Sequence, residues 1–491
     1  MARVVILGAG ISGHTAALHL RRMLDPNHQV TVVSPNSQWN WIPSNIWVGV
    51  GRMKSSEVTF ALRPVYEKQG IDFRQAKAVA LHPEGDVQSD TGFVEIVYTD
   101  PSKAGIQERL EYDYVINATG PKLNFAATPG LGPDGHTVSV CTYGHAEQAA
   151  EKLQEVIEKL KGGQQQTLVI GVGHGTCTCE GAAFEYTFNV EHELREAGVR
   201  DRAEIIYLTN EYDLGDFGVG GLTFKQNGFI TNSKLWTESL FKERGVKSIL
   251  RAHVQKVEEG RLFYETLDGQ ESSLDFDFAM LLPPFRGQDL QAFDKEGKEI
   301  TQEVFAPSGF LKVDADYTAK APEDWKATDW PRTYVSPRYE NVFGIGIAFA
   351  PPHPISVPRK SPNGTVISPA PPRTGMPSGI MGKTVATNIA EMITGKSLTP
   401  RHSASMAEMG AACVASAGAG FTKGTAASMT NMFPFGNVEE LSRQNMAMME
   451  RAMSLFTPFM PAEAPKPQDE TERLRAEVER LSAELAALKK G

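Results

Sequence analysis

The first 24 residues hold the feature that most limits how this chain can fold. A short apolar run, VVIL, leads into a turn in which Gly8, Gly10 and Gly13 have the spacing G-x-G-x-x-G, and a helical pattern follows. In such a strand–turn–helix unit the first glycine permits a tight turn and the second lets the backbone approach a pyrophosphate. The third lets the helix lie close to the strand. The helix N-terminus then faces the phosphates. The segment therefore predicts a Rossmann-like dinucleotide-binding unit.

The next strands carry further cofactor signals. The second strand, QVTVVS, ends in Ser34 where an acidic residue usually binds the ribose. We expect Ser34 to lie at the ribose, with Asn36 or a backbone group as alternatives. Residues 112–122, YDYVINATGPK, end a strand in A-T-G, a signature of flavoproteins with two dinucleotide domains, and place Thr119 and Gly120 at the cofactor. Residues 341–352 occupy the place of the third signature, with Gly346 at its turn and Ile347 in the position of the usual Asp.

A second glycine segment, TLVIGVGHG, predicts a second Rossmann-like unit. Its glycines Gly171, Gly173 and Gly175 depart from the usual spacing, and Thr176 stands where the third glycine is expected. A degenerate second nucleotide site favours an enzyme that does not use NAD(P)H.

Composition excludes several classes of protein. The net charge of −10 and the absence of a long basic run argue against a nucleic-acid partner. We find no run of eighteen apolar residues and no secretory signal ahead of the first strand. Four cysteines in 491 residues are too few for a disulfide scaffold, so any role they have is expected to be local and chemical.

Five further segments carry a resemblance to a known family. They are WNWIPSNIWVGVG, SVCTYGHAEQA, CEGAAFEY, PRTGMPSGIMG and GAACVAS, and they occur in the expected order within roughly residues 1–435. The chain thereby resembles the sulfide:quinone oxidoreductases of the flavoprotein disulfide reductase superfamily. An apolar residue in the position of Ile347 is usual in that family. Asp216, in the segment GDFG, stands where the family has a histidine, which puts a proton-transfer role there in doubt.

The resemblance implies a chemistry and the residues that perform it. It implies FAD as the cofactor, sulfide as the substrate and a membrane quinone as the electron acceptor. Cys179 and Cys413 match the redox pair: sulfide attacks their disulfide or sulfur-bridged form, one cysteine becomes a persulfide, and two electrons pass to the flavin, which quinone reoxidises. Further sulfide extends the sulfur chain until polysulfide or elemental sulfur leaves. The remaining matches are Cys141 as the third cysteine, His145 and Glu185 beside the sulfide path, and Arg373 and Thr374 beside the flavin.

Each of these residue types has a simpler interpretation. A cysteine is more often a small buried hydrophobe than a catalyst, and this stays open for Cys141. Cys177 has no counterpart in the family and is interpreted as a bystander. The C-x-C pair lacks a second pair of ligands, which argues against zinc. His145 and Glu185 are alternatively ordinary polar residues of a helix, although either can be tuned to titrate near neutral pH.

The last sixty residues predict attachment and assembly. Residues 433–461 place Leu441, Met448, Met449, Ala452, Met453 and Phe456 on one helical face, which suits a monotopic membrane anchor or a helix packed on its own core. Phe433 and Phe435 are candidates to flank the quinone ring. After a Pro-rich linker, Leu474, Val478, Leu481, Leu485 and Leu488 form a short heptad seam. Two heptads are too few to assemble alone, so we expect them to lock a homo-oligomer, assigned as a trimer, unless they dock elsewhere.

The predicted architecture is therefore α/β with two Rossmann-like domains. Residues 1–150 and 300–430 form the FAD-binding domain, residues 151–299 the second, degenerate domain, residues 431–461 the membrane and quinone region, and residues 462–491 the linker and coiled coil. The alternatives are a flavocytochrome-type sulfide dehydrogenase, a type II NADH:quinone reductase, or a flavin-fold scaffold without activity. The protein is expected to be membrane-associated without spanning the membrane.

Overall fold

A computed structural model describes residues 1–178, 180–216, 220–221, 223–226, 229–354, 356–370 and 375–406. Six candidate site residues lie outside these ranges: Cys179, Arg373, Thr374, Cys413, Phe433 and Phe435. The predicted amphipathic helix and coiled coil also lie outside them.

The described residues form short strands and helices in a mixed order. The strands are β1 (Arg3–Leu7), β2 (Gln29–Ser34), β3 (Gln38–Asn40), β4 (Thr59–Ala61), β5 (Asp72–His82), β6 (Phe93–Tyr98), β7 (Gln107–Glu111), β8 (Tyr114–Asn117), β9 (Lys122–Leu123), β10 (Gln166–Val172), β11 (Ala203–Leu208), β12 (Thr223–Gln226), β13 (Phe229–Asn232), β14 (Val246–Ile249), β15 (Ala252–Glu258), β16 (Arg261–Thr266), β17 (Glu271–Asp275), β18 (Phe278–Leu282), β19 (Phe285–Arg286), β20 (Gln291–Ala292), β21 (Val342–Gly344), β22 (Arg359–Lys360) and β23 (Val366–Ile367). The helices are α1 (Ile11–Met23), α2 (Asn45–Val48), α3 (Ser55–Val58), α4 (Leu62–Gln69), α5 (Tyr143–Lys161), α6 (Glu180–Glu196), α7 (Ser233–Arg244), α8 (Thr301–Val304) and α9 (Gly375–Ile393).

The first sheet has a parallel half in the order β21-β8-β1-β2-β5, which β6 and β7 extend with antiparallel pairs. Strand β1 lies in the middle, and Val4 to Leu7 are buried, as a central parallel strand covered on both faces requires. Helix α9 packs closely on α1. A Cβ added at Gly382 of α9 would lie only 2.5 Å from the carbonyl oxygen of Ser12 in α1. Strand β21 brings residues from beyond position 340 into the sheet that the N-terminal segment begins.

The second sheet is parallel throughout, in the order β14-β11-β10-β18. Helices α5 and α6 pack on it, and the apolar run of β10 is buried. A separate antiparallel sheet, β15-β16-β17, follows along the chain. The parallel half of the first sheet and the fully parallel second sheet, with the helices that cover them, confirm the predicted α/β class with Rossmann-like units.

Side chains join the two parallel sheets through their connecting segments. Tyr186 of α6 donates its hydroxyl hydrogen to the carbonyl oxygen of Gly49, 2.8 Å away, and Thr128 donates to the carbonyl oxygen of Gly173 over 2.6 Å. Helix α2 packs on both α5 and α6. Within the part of the chain that is described, no helix is long and apolar enough to cross a bilayer.

Candidate functional site

The carboxyl edge of the first sheet holds the three N-terminal glycines. Gly8 has a φ of +102°, and a Cβ there would lie 2.2 Å from the carbonyl oxygen of Ala118 on the neighbouring strand. A Cβ at Gly13 would lie 2.0 Å from the carbonyl oxygen of Gly8, so α1 crosses the turn at a distance that only glycine permits. Gly8 and Gly13 are therefore required by close packing within the protein itself, because any side chain there would clash with a backbone oxygen.

Gly10 differs from both, because a Cβ added there meets no described residue within 4 Å. It precedes α1, whose N-terminus has neither a side-chain cap nor an acidic residue in its first turn among the described residues. Backbone N–H groups at such a terminus attract anions. The edge therefore has open space beside an uncapped helix terminus, which suits a pyrophosphate.

The other predicted cofactor residues that the structure describes lie at the same edge. Ser34 ends β2, is buried, and accepts a hydrogen bond from the N–H of Asn36 over 3.3 Å. Thr119 follows β8 and donates from its N–H and hydroxyl to Oδ1 of Asn117, at 3.2 and 2.8 Å. Gly120 and Gly346 both have positive φ angles, +69° and +67°. Strand ends thus bring together residues that are up to 338 positions apart in the chain.

The glycine loop after β10 is filled where the first loop is open. A Cβ at Gly173 would lie 2.5 Å from Cδ1 of Leu131, and one at Gly175 would lie 2.5 Å from the carbonyl oxygen of Val366. The first turn of α6 begins with Glu180, an acid that is only 2% exposed. Side chains and an acid therefore occupy the region where a second pyrophosphate would bind.

Hydrogen bonds fix this second loop from three directions. The N–H groups of Ser368 and Ala370 donate to the carbonyl oxygens of Gly175 and Cys177, at 2.8 and 2.9 Å. Nδ2 of Asn210 donates to the same two oxygens, at 3.2 and 3.1 Å. On the other side, the N–H of Gly175 donates to Nδ1 of His253 over 2.9 Å. The segment that leads to the C-x-C pair is therefore held rigidly.

The two described thiols differ in their surroundings. Cys177 is fully buried and its Sγ donates to the carbonyl oxygen of Leu282 over 3.2 Å. Burial raises the pKa of this thiol well above its usual value, and the negative charge of Glu180 raises it further. Cys141 is partly exposed, and its N–H donates to Oγ of Ser139 over 3.1 Å. Because the thiolate is the reactive form, Cys177 is suited to packing and not to attack on sulfur.

His145 lies in the first turn of α5, where its N–H donates to Oγ1 of the N-cap residue Thr142 over 3.1 Å. The ring packs edge-on against Phe125 at 5.9 Å, and its buried Nδ1 has no hydrogen-bond partner within the described ranges. Burial lowers the pKa of His145. A neutral ring with an open nitrogen can accept a proton.

Glu185 lies on α6 and keeps some exposed surface, but the protein that surrounds it raises its pKa to about 8. Such a carboxyl changes charge near neutral pH, as an acid–base group must. Asp216, in the family's histidine position, accepts from the N–H groups of Tyr212 and Asp213 at 3.0 and 3.2 Å, so it stabilises a turn.

Sequence reasoning missed His253, Asn210 and Glu180, which surround the loop that leads to the C-x-C pair. His253 and Asn210 come from other segments of the fold, and no local pattern marks them. Glu180 had a detectable signal, because it directly follows Cys179 in a strand–turn–helix unit. No group of three His, Cys, Asp or Glu residues among those described is arranged to hold a metal ion.

Comparisons with known proteins agree with this geometry. The family model for pyridine nucleotide-disulphide oxidoreductases matches residues 2–209. The sulfide-quinone reductase of Aquifex aeolicus (strain VF5) is 30% identical over 390 residues, which cover 79% of this chain and 76% of that protein. The X-ray structure of the sulfide:quinone oxidoreductase from Aquifex aeolicus superposes with a TM-score of 0.62 at 27% identity, covering 80% of this chain and 78% of that one.

A second group of relatives is matched over a shorter region. The external alternative NAD(P)H-ubiquinone oxidoreductase B4, mitochondrial, of Arabidopsis thaliana is 27% identical over 129 residues, 26% of this chain and 21% of that protein. The fold and the turn formed by Gly8, Gly10 and Gly13 define an oxidoreductase of the pyridine nucleotide-disulphide class with two Rossmann-like units. Within that class, the long match to the Aquifex protein decides the family. The chain belongs to the sulfide-quinone reductase family.

Proposed function

We propose that the protein oxidises sulfide at redox cysteines, with FAD as its cofactor, and delivers the electrons to quinone. The observation that carries the proposal is the match of 390 residues, 79% of this chain, to a sulfide-quinone reductase. FAD, when bound, accepts two electrons from sulfur and gives them to quinone.

The first sheet's edge fits FAD. Gly10 leaves open space beside the uncapped N-terminus of α1, and this space receives the pyrophosphate. We assign Ser34, whose Oγ accepts a hydrogen bond from the N–H of Asn36, to the ribose. Thr119, Gly120 and Gly346 lie at the ends of the adjoining strands, and we assign Arg373 and Thr374 to the flavin by their match to the family.

The second sheet does not fit a nicotinamide dinucleotide. Leu131 and the carbonyl oxygen of Val366 fill the space beside Gly173 and Gly175. The acid Glu180 is buried in the first turn of α6, at the helix terminus that would have to face a second pyrophosphate. These contacts favour sulfide over NAD(P)H as the electron donor and oppose the type II NADH:quinone reductase alternative.

We assign the sulfur chemistry to Cys179 and Cys413. Hydrosulfide attacks one sulfur of their disulfide, a new S–S bond forms there as a persulfide, and the other cysteine leaves as a thiolate. Cys141 is assigned as the third cysteine of the sulfur path. Its partial exposure supports that role, because a thiol must be accessible to take part in sulfur exchange.

We assign proton transfer to His145 and Glu185. Oxidation of hydrogen sulfide to sulfur releases two protons, and quinone reduction consumes two. A carboxyl with a pKa of about 8 holds its proton at neutral pH and is able to supply it, and a neutral imidazole whose Nδ1 has no partner among the described residues is able to accept one.

The finer assignments of partners rest on the tail. We propose that the Met- and Phe-rich face within residues 433–461 binds the membrane surface, with Phe433 and Phe435 beside the quinone, and that the heptad seam stabilises a homotrimer.

We also propose that residues 1–150 and 300–430 form the FAD-binding domain, since β21 joins the sheet of β1, and that residues 151–299 form the second domain.

The test is a spectrum of the purified protein. A yellow flavin spectrum is expected that sulfide bleaches in the absence of oxygen, that NADH leaves unchanged, and that a short-chain quinone restores. Bleaching by NADH and not by sulfide would establish the NADH:quinone reductase instead. Bleaching by sulfide with reoxidation by a cytochrome and not by quinone would indicate the flavocytochrome type, and a protein without flavin would be the inactive scaffold.

A further inference from the structure

A buried side chain at the N-terminus of α1 has an unused hydroxyl group. Ser12 is the second residue of this helix and is only 6% exposed. Among the residues that the structure describes, none forms a hydrogen bond with its Oγ. Buried polar groups in folded proteins nearly always have a partner, because leaving one without a hydrogen bond costs free energy. The hydroxyl of Ser12 is therefore a candidate to bind a ligand.

Thr15, three residues further along α1, shows how a buried hydroxyl on this helix is normally satisfied. It is 1% exposed, and its Oγ1 donates to the carbonyl oxygen of Ile11 over 2.7 Å. Such a bond to the fourth preceding residue is common for serine and threonine inside helices. The equivalent acceptor for Ser12 would be Gly8, which lies in the turn before the helix, and this bond is not formed among the described residues.

The Ser12 side chain lies at the carboxyl edge of the first sheet. In an α-helix the Cα–Cβ bond tilts towards the N-terminus, so this side chain points to the end of α1 that borders Gly10 and its open space. A Cβ added at Gly346 would lie 2.4 Å from Oγ of Ser12, so the hydroxyl lies against the turn that follows β21. It is thus located between two segments that are assigned to the cofactor.

The surroundings of Ser12 favour an anionic ligand. The first turn of α1 contains no acidic residue, and no side chain among those described caps its N-terminus. The free N–H groups there give this end of the helix a partial positive charge. The side chain of Ile347, next to Gly346, is a hydrocarbon and offers no hydrogen bond. A serine hydroxyl has one hydrogen to donate, and its bond to an anion is stronger than its bond to a neutral group.

We propose that Ser12 donates its hydroxyl hydrogen to a phosphate oxygen of FAD and so helps to fix the pyrophosphate at the N-terminus of α1. The inference rests on FAD as the cofactor and on no other part of the proposed function. The G-x-G-x-x-G spacing brings backbone N–H groups to the pyrophosphate and leaves the residue at position 12 free to vary. The Ser12 side chain therefore adds a contact that the motif itself does not require.

The test compares Ser12→Ala with Thr15→Val in the FAD-loaded protein. Each variant removes one buried hydroxyl from α1 and adds little or no bulk, but only Ser12 should contact the cofactor. The phosphorus NMR spectrum of bound FAD reports directly on the pyrophosphate. Ser12→Ala should shift at least one pyrophosphate resonance, and Thr15→Val should leave the spectrum as in the wild type.

Release of FAD provides a second readout. After dilution of the loaded protein, flavin fluorescence should rise about tenfold faster for Ser12→Ala than for the wild type, which corresponds to the loss of one hydrogen bond to a charged group. Thr15→Val should release FAD at the wild-type rate. The phosphorus spectrum decides the question even if FAD does not dissociate from any of the three proteins.

Two results would overturn the inference. Unchanged pyrophosphate resonances in Ser12→Ala would show that its hydroxyl does not contact the phosphates, whatever the rate of release. Equal shifts in both variants would show that the change comes from the helix as a whole. Neither readout uses sulfide or quinone. If Ser12→Ala shifts the resonances but sulfide does not bleach the wild-type flavin, the proposed sulfide oxidation is wrong and the role of Ser12 remains.

Discussion

The N–H of Gly175 donates a hydrogen bond to Nδ1 of His253, 2.9 Å away, so a side chain of β15 holds the loop that leads to the C-x-C pair. His174 packs edge-on against the same ring, with centroids 4.4 Å apart. Because Nδ1 accepts a hydrogen bond, the His253 ring is neutral here, with its proton on Nε2. Burial lowers the pKa of both histidines, and that of His174 falls to about 4.

Removing the ring of His253 should loosen this loop. His253→Ala leaves the N–H of Gly175 without its acceptor and should reduce the free energy of unfolding by about 1–3 kcal/mol. His253→Asn is the control, since its Oδ1 can occupy the position of Nδ1 and should recover a large part of the loss. Urea unfolding of the three proteins at neutral pH measures the difference. Equal losses in both variants would show that ring packing, and not the hydrogen bond, matters.

Gly10 and Gly8 should respond differently to the same added methyl group. Gly10→Ala places a Cβ in open space, so the fold should persist while the flavin content of the purified protein falls. Gly8→Ala forces a Cβ to within 2.2 Å of the carbonyl oxygen of Ala118 at a φ of +102° and should lower the melting temperature as well. Absorbance and thermal unfolding separate the two effects. Full flavin content in Gly10→Ala would place the pyrophosphate elsewhere.

Glu185 should make stability depend on pH. Its folded pKa of about 8 lies above the ordinary value of 4.5, so the folded state binds more protons than the unfolded state between these pH values. This group's contribution to stability therefore decreases as pH rises from about 4.5 to about 8. Glu185→Gln should flatten that decrease and be more stable than wild type at pH 8, as denaturant unfolding at several pH values would show. An unchanged pH dependence would mean that the pKa of Glu185 is not raised in the folded protein.

The cysteines should separate into two groups. Cys179→Ser and Cys413→Ser should each abolish sulfide-dependent quinone reduction while FAD stays bound. Cys177→Ser should be nearly silent, because a serine hydroxyl can make the same hydrogen bond to the carbonyl oxygen of Leu282. An inactive Cys177→Ser with an active Cys179→Ser would shift the redox position by two residues.

The tail should have two separable functions. Deletion of residues 469–491 removes the leucine seam and should make oligomers dissociate on dilution while liposome binding persists. Met449→Glu with Phe456→Glu should release most of the protein from liposomes, since burying each apolar side chain contributes roughly 1.5–3 kcal/mol. Turnover with a water-soluble short-chain quinone should survive in both. If liposome binding is lost on deletion of residues 469–491 but not in Met449→Glu with Phe456→Glu, the leucine seam binds the membrane and the apolar helix stabilises the oligomer.

Local sequence was sufficient to predict the turn of Gly8, Gly10 and Gly13 and the residues that end the strands. The run VVIL and the glycines behind it predict a buried central strand and a turn, because both depend on residues within one short segment. The degenerate spacing of Gly171, Gly173 and Gly175 likewise indicated that the second loop differs from the first. What fills that loop was not predictable, since Leu131, His253 and Val366 come from three distant segments.

The sequence by itself determined the α/β class, the two glycine turns and the family, because strand periodicity, glycine spacing and segment order are all properties of the linear chain. Only the tertiary structure decided that Gly10 borders open space while Gly173 and Gly175 are covered, and that Glu180 and Asn210 are buried with acceptor oxygens that have no partner among the described residues. The physical reason is that open volume, desolvation and hydrogen-bond completeness depend on which atoms come within a few ångströms. Segments far apart in the chain supply those atoms.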